Sequence, residues 1–249
     1  TQSGSAVFNR VIFSDLVQGS QAASFLADTL GKSKIALLHD GTTYGQGLCT
    51  VAQGALGDKA VAFEAITPGE TDYSAVLTQI AALEPDAMLY CGYHPEAAAL
   101  VNGFAKAGLE GLPFVSDDGI FGSSFVELAG GNAEGVIATS PSEPASSSAK
   151  DAFDAKYLET YGTAAGELST YTWTAYDAGL VIHAAIKKVA ILGGDGNLYI
   201  PRAALVEAVR ATSGVAGVTG TMSCDATGEC AAAVPGLWVV QDGAWVPYE

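Results

Sequence analysis

The chain has 249 residues, 49% of them hydrophobic, at a mean hydropathy of +0.28, which is enough for one large domain or two smaller ones with a substantial core. Its 11 Lys and Arg stand against 27 Asp and Glu, a net charge of −16. No basic face is available to grip phosphates, and nucleic acid and direct insertion into or binding on an anionic membrane are set aside as partners. The chain opens Thr1-Gln2-Ser3, with neither Met nor a leader peptide, as expected of a processed or trimmed product.

From residue 7 to residue 140 the pattern alternates helix and strand. Gln18 to Leu30 predicts an amphipathic helix carrying Ala22, Phe25, Leu26 and Leu30 on one face, and Ile35–His39 predicts a short buried strand. A helix over Gln46–Leu56 and a strand over Val61–Ile66 follow. Thr71 or Asp72 then caps a helix bearing Tyr73, Val76, Leu77 and Ile80. Next come a strand at Ala87–Cys91, a helix from Glu96 to Ala107 stopped by Gly108, and a strand beginning at Pro113–Val115. A short helix over Ser123–Ala129 and a strand at Gly135–Ala138 complete the series. Strands alternating with helices of this length predict an α/β fold with a doubly wound parallel sheet.

The run Ser140-Pro-Ser-Glu-Pro-Ala-Ser-Ser-Ser148 reads as a linker or domain crossing. Beyond it lie three helical segments, Ala149–Tyr161, Thr172–Val189 and Arg202–Ala211, with Gly193-Gly-Asp-Gly196 between the last two. No strand is expected among them before a hairpin near Gly217–Ala233. Their apolar residues, such as Ala175, Leu180, Ile182, Ala185 and Ile186, therefore lack a sheet to cover them.

In an open parallel sheet, ligands bind beyond the carboxyl ends of the strands. Three loops follow strands there: Asp40-Gly-Thr-Thr-Tyr44-Gly-Gln-Gly47, Gly92-Tyr93-His94-Pro95-Glu96, and Ser116-Asp117-Asp118-Gly119. Two carry a tyrosine among small residues and the third carries carboxylates. A carboxylate beside aromatic rings suits an ammonium group, through ion pairing and cation–π attraction; the competing reading is that each tyrosine only plugs its own loop. Catalytic readings are weaker. The glycine-rich stretch after His39 lacks the lysine of a phosphate loop and the dinucleotide glycine spacing. Cys91 and His94 are three apart, but nothing nearby in sequence orients the histidine. His39 reads as the end of a strand satisfied by loop backbone. Asp117 and Asp118 point apart and have no evident third ligand for a metal.

Four cysteines are present. Cys224 and Cys230 flank Asp225 and Gly228 in what reads as a hairpin with one cysteine on each arm, close enough to bridge. A disulfide there implies an oxidising compartment, the alternative being two buried free thiols. Cys49 and Cys91 form a second candidate pair, one following the first strand of the sheet and the other ending a neighbouring strand.

These loops resemble those of the periplasmic leucine/isoleucine/valine-binding proteins of the type I solute-binding superfamily. The resemblance is carried by His39-Asp-x3-Tyr44-Gly-x-Gly47, Ile66-Thr-Pro-Gly-Glu-Thr-Asp72-Tyr-Ser74, Tyr90-Cys-Gly-Tyr93-His-Pro-Glu96, Asp118-Gly119, Tyr171-Thr-Trp173-Thr-Ala-Tyr176-Asp and Gly220-Thr-Met-Ser-Cys-Asp225. It implies a type I periplasmic-binding-protein fold of two lobes joined by three crossings. One lobe is complete over residues 1–140 with the tail 236–249. Residues 141–235 are the returning helices and hairpin of the other lobe, whose opening strand–helix units are absent. The resemblance implies that Tyr44 and Tyr93 are aromatic pocket residues and that Asp118 receives the ligand's α-amino group, Asp standing where Glu is familiar. It implies that Tyr171 lines the side-chain pocket, where Phe is familiar. The implied protein is an extracytoplasmic component of an ABC importer, periplasmic or at the cell surface. It captures a small amino acid, branched-chain or related, for a membrane permease, without cofactor, metal or catalysis. An amino-acid or amide sensor of the same fold and a small-molecule enzyme are the alternatives.

Overall fold

A computed structural model describes residues 4–249 of the chain. The first helix, α1 (Asp15–Ser24), continues through a wider π turn at Phe25–Thr29. Strand β1 (Ile35–His39), helix α2 (Thr43–Leu56), strand β2 (Ala60–Ala65) and helix α3 (Ser74–Ala81) follow. Then come β3 (Ala87–Cys91), α4 (His94–Ala107), β4 (Phe114–Ser116), α5 (Ser123–Ala129) and β5 (Ile137–Pro141). The chain next forms α6 (Ser148–Tyr161), α7 (Thr172–Val189), β6 (Ile191–Leu192), β7 (Leu198–Tyr199), α8 (Arg202–Arg210), β8 (Val215–Ala216) and β9 (Thr221–Met222). It ends in a hairpin of β10 (Pro235–Gln241) and β11 (Ala244–Pro247).

Contacts divide the chain into two compact units. One comprises Ser14–Ser140 and Pro235–Glu249, the other the described residues up to Phe13 together with Pro141–Val234. The first is built on a seven-stranded sheet of order β11-β10-β5-β4-β3-β1-β2. Strands β1 to β5 pair in parallel and β10–β11 pair antiparallel. Successive side chains point to opposite faces of a strand, and both faces are covered. Ala36, Leu38, Met88, Tyr90 and Phe114 pack under α3, α4 and α5 through Leu77, Ile80, Leu100, Phe104 and Phe125. Ile35, Leu37, Leu89, Cys91, Val115 and Ile137 pack under α1 and α2 through Ala22, Phe25, Leu26, Leu48 and Ala52. Strands buried on both faces explain why β1 and β3 read as unbroken apolar runs.

The second unit holds α6, α7, α8 and the two-stranded ladders β6–β7 and β8–β9. Residues 4–13 belong here, whereas the sequence reading grouped them with the parallel sheet. The reason is local. The Arg10 backbone donates to Gly228 O at 2.8 Å and accepts from Cys230 N at 2.7 Å. The Arg210 guanidinium reaches Asn9 Oδ1 and the carbonyls of Ser5, Phe8 and Ala226 at 2.7–2.9 Å. The cysteine-bearing segment is also not a strand hairpin. Its strands lie earlier, in β8 and β9, and residues 225–229 form a turn in which Asp225 Oδ1 accepts from the N–H groups of Thr227, Gly228 and Glu229. The Gly193–Gly196 stretch is likewise no bare spacer but the turn of the β6–β7 ladder. Lys150, nearly buried, is held by Glu143 at 2.8 Å and Asp154 at 2.6 Å, while Asp154 also accepts from Trp173 Nε1 at 2.7 Å.

Candidate functional site

The carboxyl ends of β1, β3 and β4 each place one side chain of a single cluster. After β1, Thr42 caps α2: its Oγ1 accepts Gly45 N–H at 3.0 Å, and Asp40 Oδ1 accepts both the N–H and the hydroxyl of Thr42. The helix therefore begins at Thr43, three residues before the position expected from sequence, and Tyr44 lies on its first turn rather than in a loop. After β3, Tyr93 occupies the N-cap position of α4, with Pro95 inside the first turn. After β4, Asp117 caps a single helical turn at Asp118–Ile120.

Tyr44 Oη donates to Asp118 Oδ1 at 3.0 Å. The rings of Tyr44 and Tyr93 stand 5.8 Å apart, tilted by 39°. Tyr44 is partly buried against the core beneath α2, whereas Tyr93 keeps 47% of its surface exposed. Burial raises the Tyr93 hydroxyl pKa above its ordinary value, and the charges of Asp40, Asp117 and Asp118 push the same way. The structure thus brings together three of the four residues singled out from sequence. Tyr171 lies in the other unit, at the N-cap of α7, where its carbonyl accepts from the Thr174 hydroxyl and the Ala175 N–H.

Gln18 and Thr139 complete the cluster, and sequence reasoning passed over both. Gln18, on α1 and nearly buried, donates through Nε2 to Asp118 Oδ1 and, at 3.1 Å each, to the carbonyl and Oγ1 of Thr139. A glutamine on a stripe that continues with Ala22, Phe25 and Leu26 was the available signal, because a polar residue on a buried face needs a partner.

The four cysteines form two disulfides, Cys49–Cys91 and Cys224–Cys230. The first joins α2, which carries Tyr44, to the end of β3, two residues before Tyr93. It also removes Cys91 as a nucleophile for His94. Among the described residues no group of three or more His, Cys, Asp or Glu is placed to hold a metal ion, and no helix is long and apolar enough to cross a membrane.

Residues 3–241 match the family model described as periplasmic binding protein. Among curated relatives, the Leu/Ile/Val/Thr-binding protein of Salmonella typhimurium is 32% identical over 171 residues, covering 66% of this chain and 45% of that protein. The leucine-, isoleucine-, valine-, threonine-, and alanine-binding protein of Pseudomonas aeruginosa is 30% identical over 195 residues, covering 76% of this chain and 50% of that protein. This chain thus spans about half the length of the curated relatives it matches. Among solved structures, a leucine binding protein from Thermotoga maritima superposes with a TM-score of 0.83 at 25% identity, over 99% of this chain and 68% of that one. A branched-chain amino acid substrate binding protein of Streptococcus pneumoniae in complex with isoleucine gives 0.77 at 24% identity, over 95% and 66%, a likeness of fold. With a doubly wound sheet, a cluster at its carboxyl edge and a model match over nearly its whole length, the chain belongs to the periplasmic binding protein family.

Proposed function

We propose that this chain captures a small amino acid, branched-chain or related, and presents it to the membrane permease of an ABC importer. The observation that carries the reading is the Tyr44 hydroxyl donating to the Asp118 carboxylate, with the Tyr93 ring beside that of Tyr44, at the carboxyl edge of the sheet. A carboxylate flanked by rings offers an ammonium both ion pairing and cation–π attraction. Curated relatives include a Leu/Ile/Val/Thr-binding protein, a leucine-, isoleucine-, valine-, threonine-, and alanine-binding protein and a Leu/Ile/Val-binding protein, which supports the ligand class. Tyr171 is proposed as a side-chain contact on the strength of the resemblance, and residues 141–235 as the returning part of a second lobe. Two disulfides and the family support an extracytoplasmic location. The role is binding, without turnover.

Mass spectrometry of ligand carried through native purification tests the class, and calorimetry with L-leucine, L-isoleucine, L-valine, L-threonine and L-alanine ranks it. Asp118→Asn keeps the shape and removes the charge, and it is expected to cost about 2–5 kcal/mol of binding. Unchanged affinity in that variant would remove Asp118 from the site. Tyr171→Ala, measured against the same ligand, tests the fourth residue separately.

A further inference from the structure

Asp117 is fully buried, at 0% exposure, beside a second carboxylate. Burying a carboxylate is costly unless its oxygens are satisfied. Here the two oxygens are spent on two different loops: Oδ2 accepts the N–H of Gly92 at 3.0 Å, and Oδ1 accepts the N–H of Gly119 at 2.9 Å. Gly92 immediately precedes Tyr93, and Gly119 immediately follows Asp118. The two loops touch backbone to backbone at this point. A Cβ on Gly119 would run into the Gly92 carbonyl oxygen, and one on Gly92 into the Tyr90 hydroxyl. Glycine at 119 permits the approach, glycine at 92 spares the Tyr90 hydroxyl, and Asp117 supplies acceptors to the N–H groups of both.

We propose that Asp117 is a positioning residue whose carboxylate clips the Tyr93 loop to the Asp118 loop and so sets the distance between ring and carboxylate in the site. The proposal rests on the reading of that cluster as an amino-acid receptor. A side chain needed only for packing would be apolar, which avoids the desolvation cost altogether. A side chain needed for one N–H could be Ser or Asn. Two N–H donors, one on each oxygen, call for a carboxylate in its ionised form. Burial lifts the Asp117 pKa well above the ordinary carboxylate range and the Asp118 charge adds to this, while the bonds from the Gly119 and Gly92 backbone oppose it. Tyr90 and Tyr93 also feel its charge. The clip is therefore proton-sensitive, weakening as the carboxylate takes up a proton.

The test uses the whole chain and begins without ligand. Backbone amide resonances of Gly92 and Gly119 are followed by NMR between about pH 4 and pH 8. In the wild type both are expected to move together, with one midpoint above the ordinary carboxylate range. In Asp117→Asn neither moves with that midpoint. An asparagine presents an amide N–H to one of the two donors, so exchange at one of the glycine amides is expected to rise about tenfold or more while the β1 amides hold. Separate midpoints in the wild type overturn the clip even if the variant fails to fold, and so does unchanged exchange in a folded variant. L-Leucine calorimetry follows, with affinity expected about tenfold weaker in the variant and its pH dependence flattened. Equal affinity in the two proteins overturns the proposal. Joint titration of the glycines without leucine binding by the wild type would instead sink the amino-acid reading and leave the clip standing.

Discussion

The Tyr44 hydroxyl reaches Asp118 Oδ1, the same oxygen that Gln18 holds from α1. Tyr44→Phe keeps the ring beside Tyr93 and deletes one donor, so L-leucine binding is expected to weaken by about 1 kcal/mol, whereas Tyr44→Ala also loses the aromatic face and costs more. Calorimetry on the pair separates the two contributions. His39 provides a pH prediction at the same scale. It is nearly buried and its Nδ1 accepts the Gly41 N–H at 3.1 Å, which requires the neutral imidazole. Burial is the larger influence and lowers its pKa from 6.5, with Asp40 and Glu64 opposing. For a histidine depressed in the folded state, the stabilisation is full above the unfolded value of 6.5 and is lost as pH falls through the lower folded value. Chemical denaturation across that window is expected to show stability rising with pH, and His39→Gln should flatten the rise.

At the scale of elements, much of the parallel sheet was legible. Each of β1 to β5 overlaps an expected strand, and α7 runs over the expected Thr172–Val189. Unbroken apolar runs bounded by polar loops mark doubly buried strands well. Helix starts did not follow the caps: α5, α7 and α8 begin at the expected Ser123, Thr172 and Arg202 with no side-chain cap, whereas α2, capped by Thr42, begins before the expected Gln46. Thr71 or Asp72 was the expected cap of α3, but that helix begins at Ser74 with Tyr73 at the N-cap, and Asp72 Oδ1 instead accepts Ser74 N–H at 2.9 Å. The β6–β7 and β8–β9 ladders are two residues per strand, too short to carry a period. In the site, the strand-end rule found Tyr44, Tyr93 and Asp118. It could not show that Gln18 would arrive from 100 residues away, because long-range pairing leaves no local trace. Two predictions belong here. The Cys49–Cys91 bond closes a loop of 42 residues, so replacing both cysteines with alanine should lower unfolding free energy by about 4 kcal/mol in the chain-entropy account, read from urea denaturation. On α7, buried Asp177 accepts the N–H groups of Val218 and Thr219 and the Thr219 hydroxyl. Asp177→Ala strands those donors and should cost about 2–4 kcal/mol in the same assay.

Across the whole molecule the two units differ in how fully they bury apolar surface. The sheet unit has a continuous core on each face. In the other unit Leu158, Tyr161, Leu168, Tyr176, Ile182 and Leu192 are exposed, and two hollows open among its helices. One, of about 640 Å³, is lined by Phe153, Tyr157, Tyr161, Tyr176 and Leu180; the other, of about 320 Å³, by Val7, Val181, Ile182, Leu205 and Val209. Apolar surface on that scale binds hydrophobic dyes. Native chain is expected to enhance anilinonaphthalene sulfonate fluorescence, and Tyr161→Ser with Ile182→Ser to reduce it. A dim native signal would show that the apolar faces are covered in solution.

The last fifteen residues finish the sheet, because β10 lies beside β5 and β11 forms the outer edge. During synthesis, β5 therefore remains an open edge until Pro235–Gln241 has been made. Two of the three tryptophans, Trp238 and Trp245, travel in that closing hairpin, and both rings meet Phe121, Trp238 edge-on at 5.1 Å and Trp245 stacked at 5.3 Å. The third, Trp173, sits in the other unit. Intrinsic fluorescence with Trp173→Phe is thus a clock for the final docking event. A refolding trace in which sheet circular dichroism precedes the Trp238 and Trp245 signal would record the edge being sealed last.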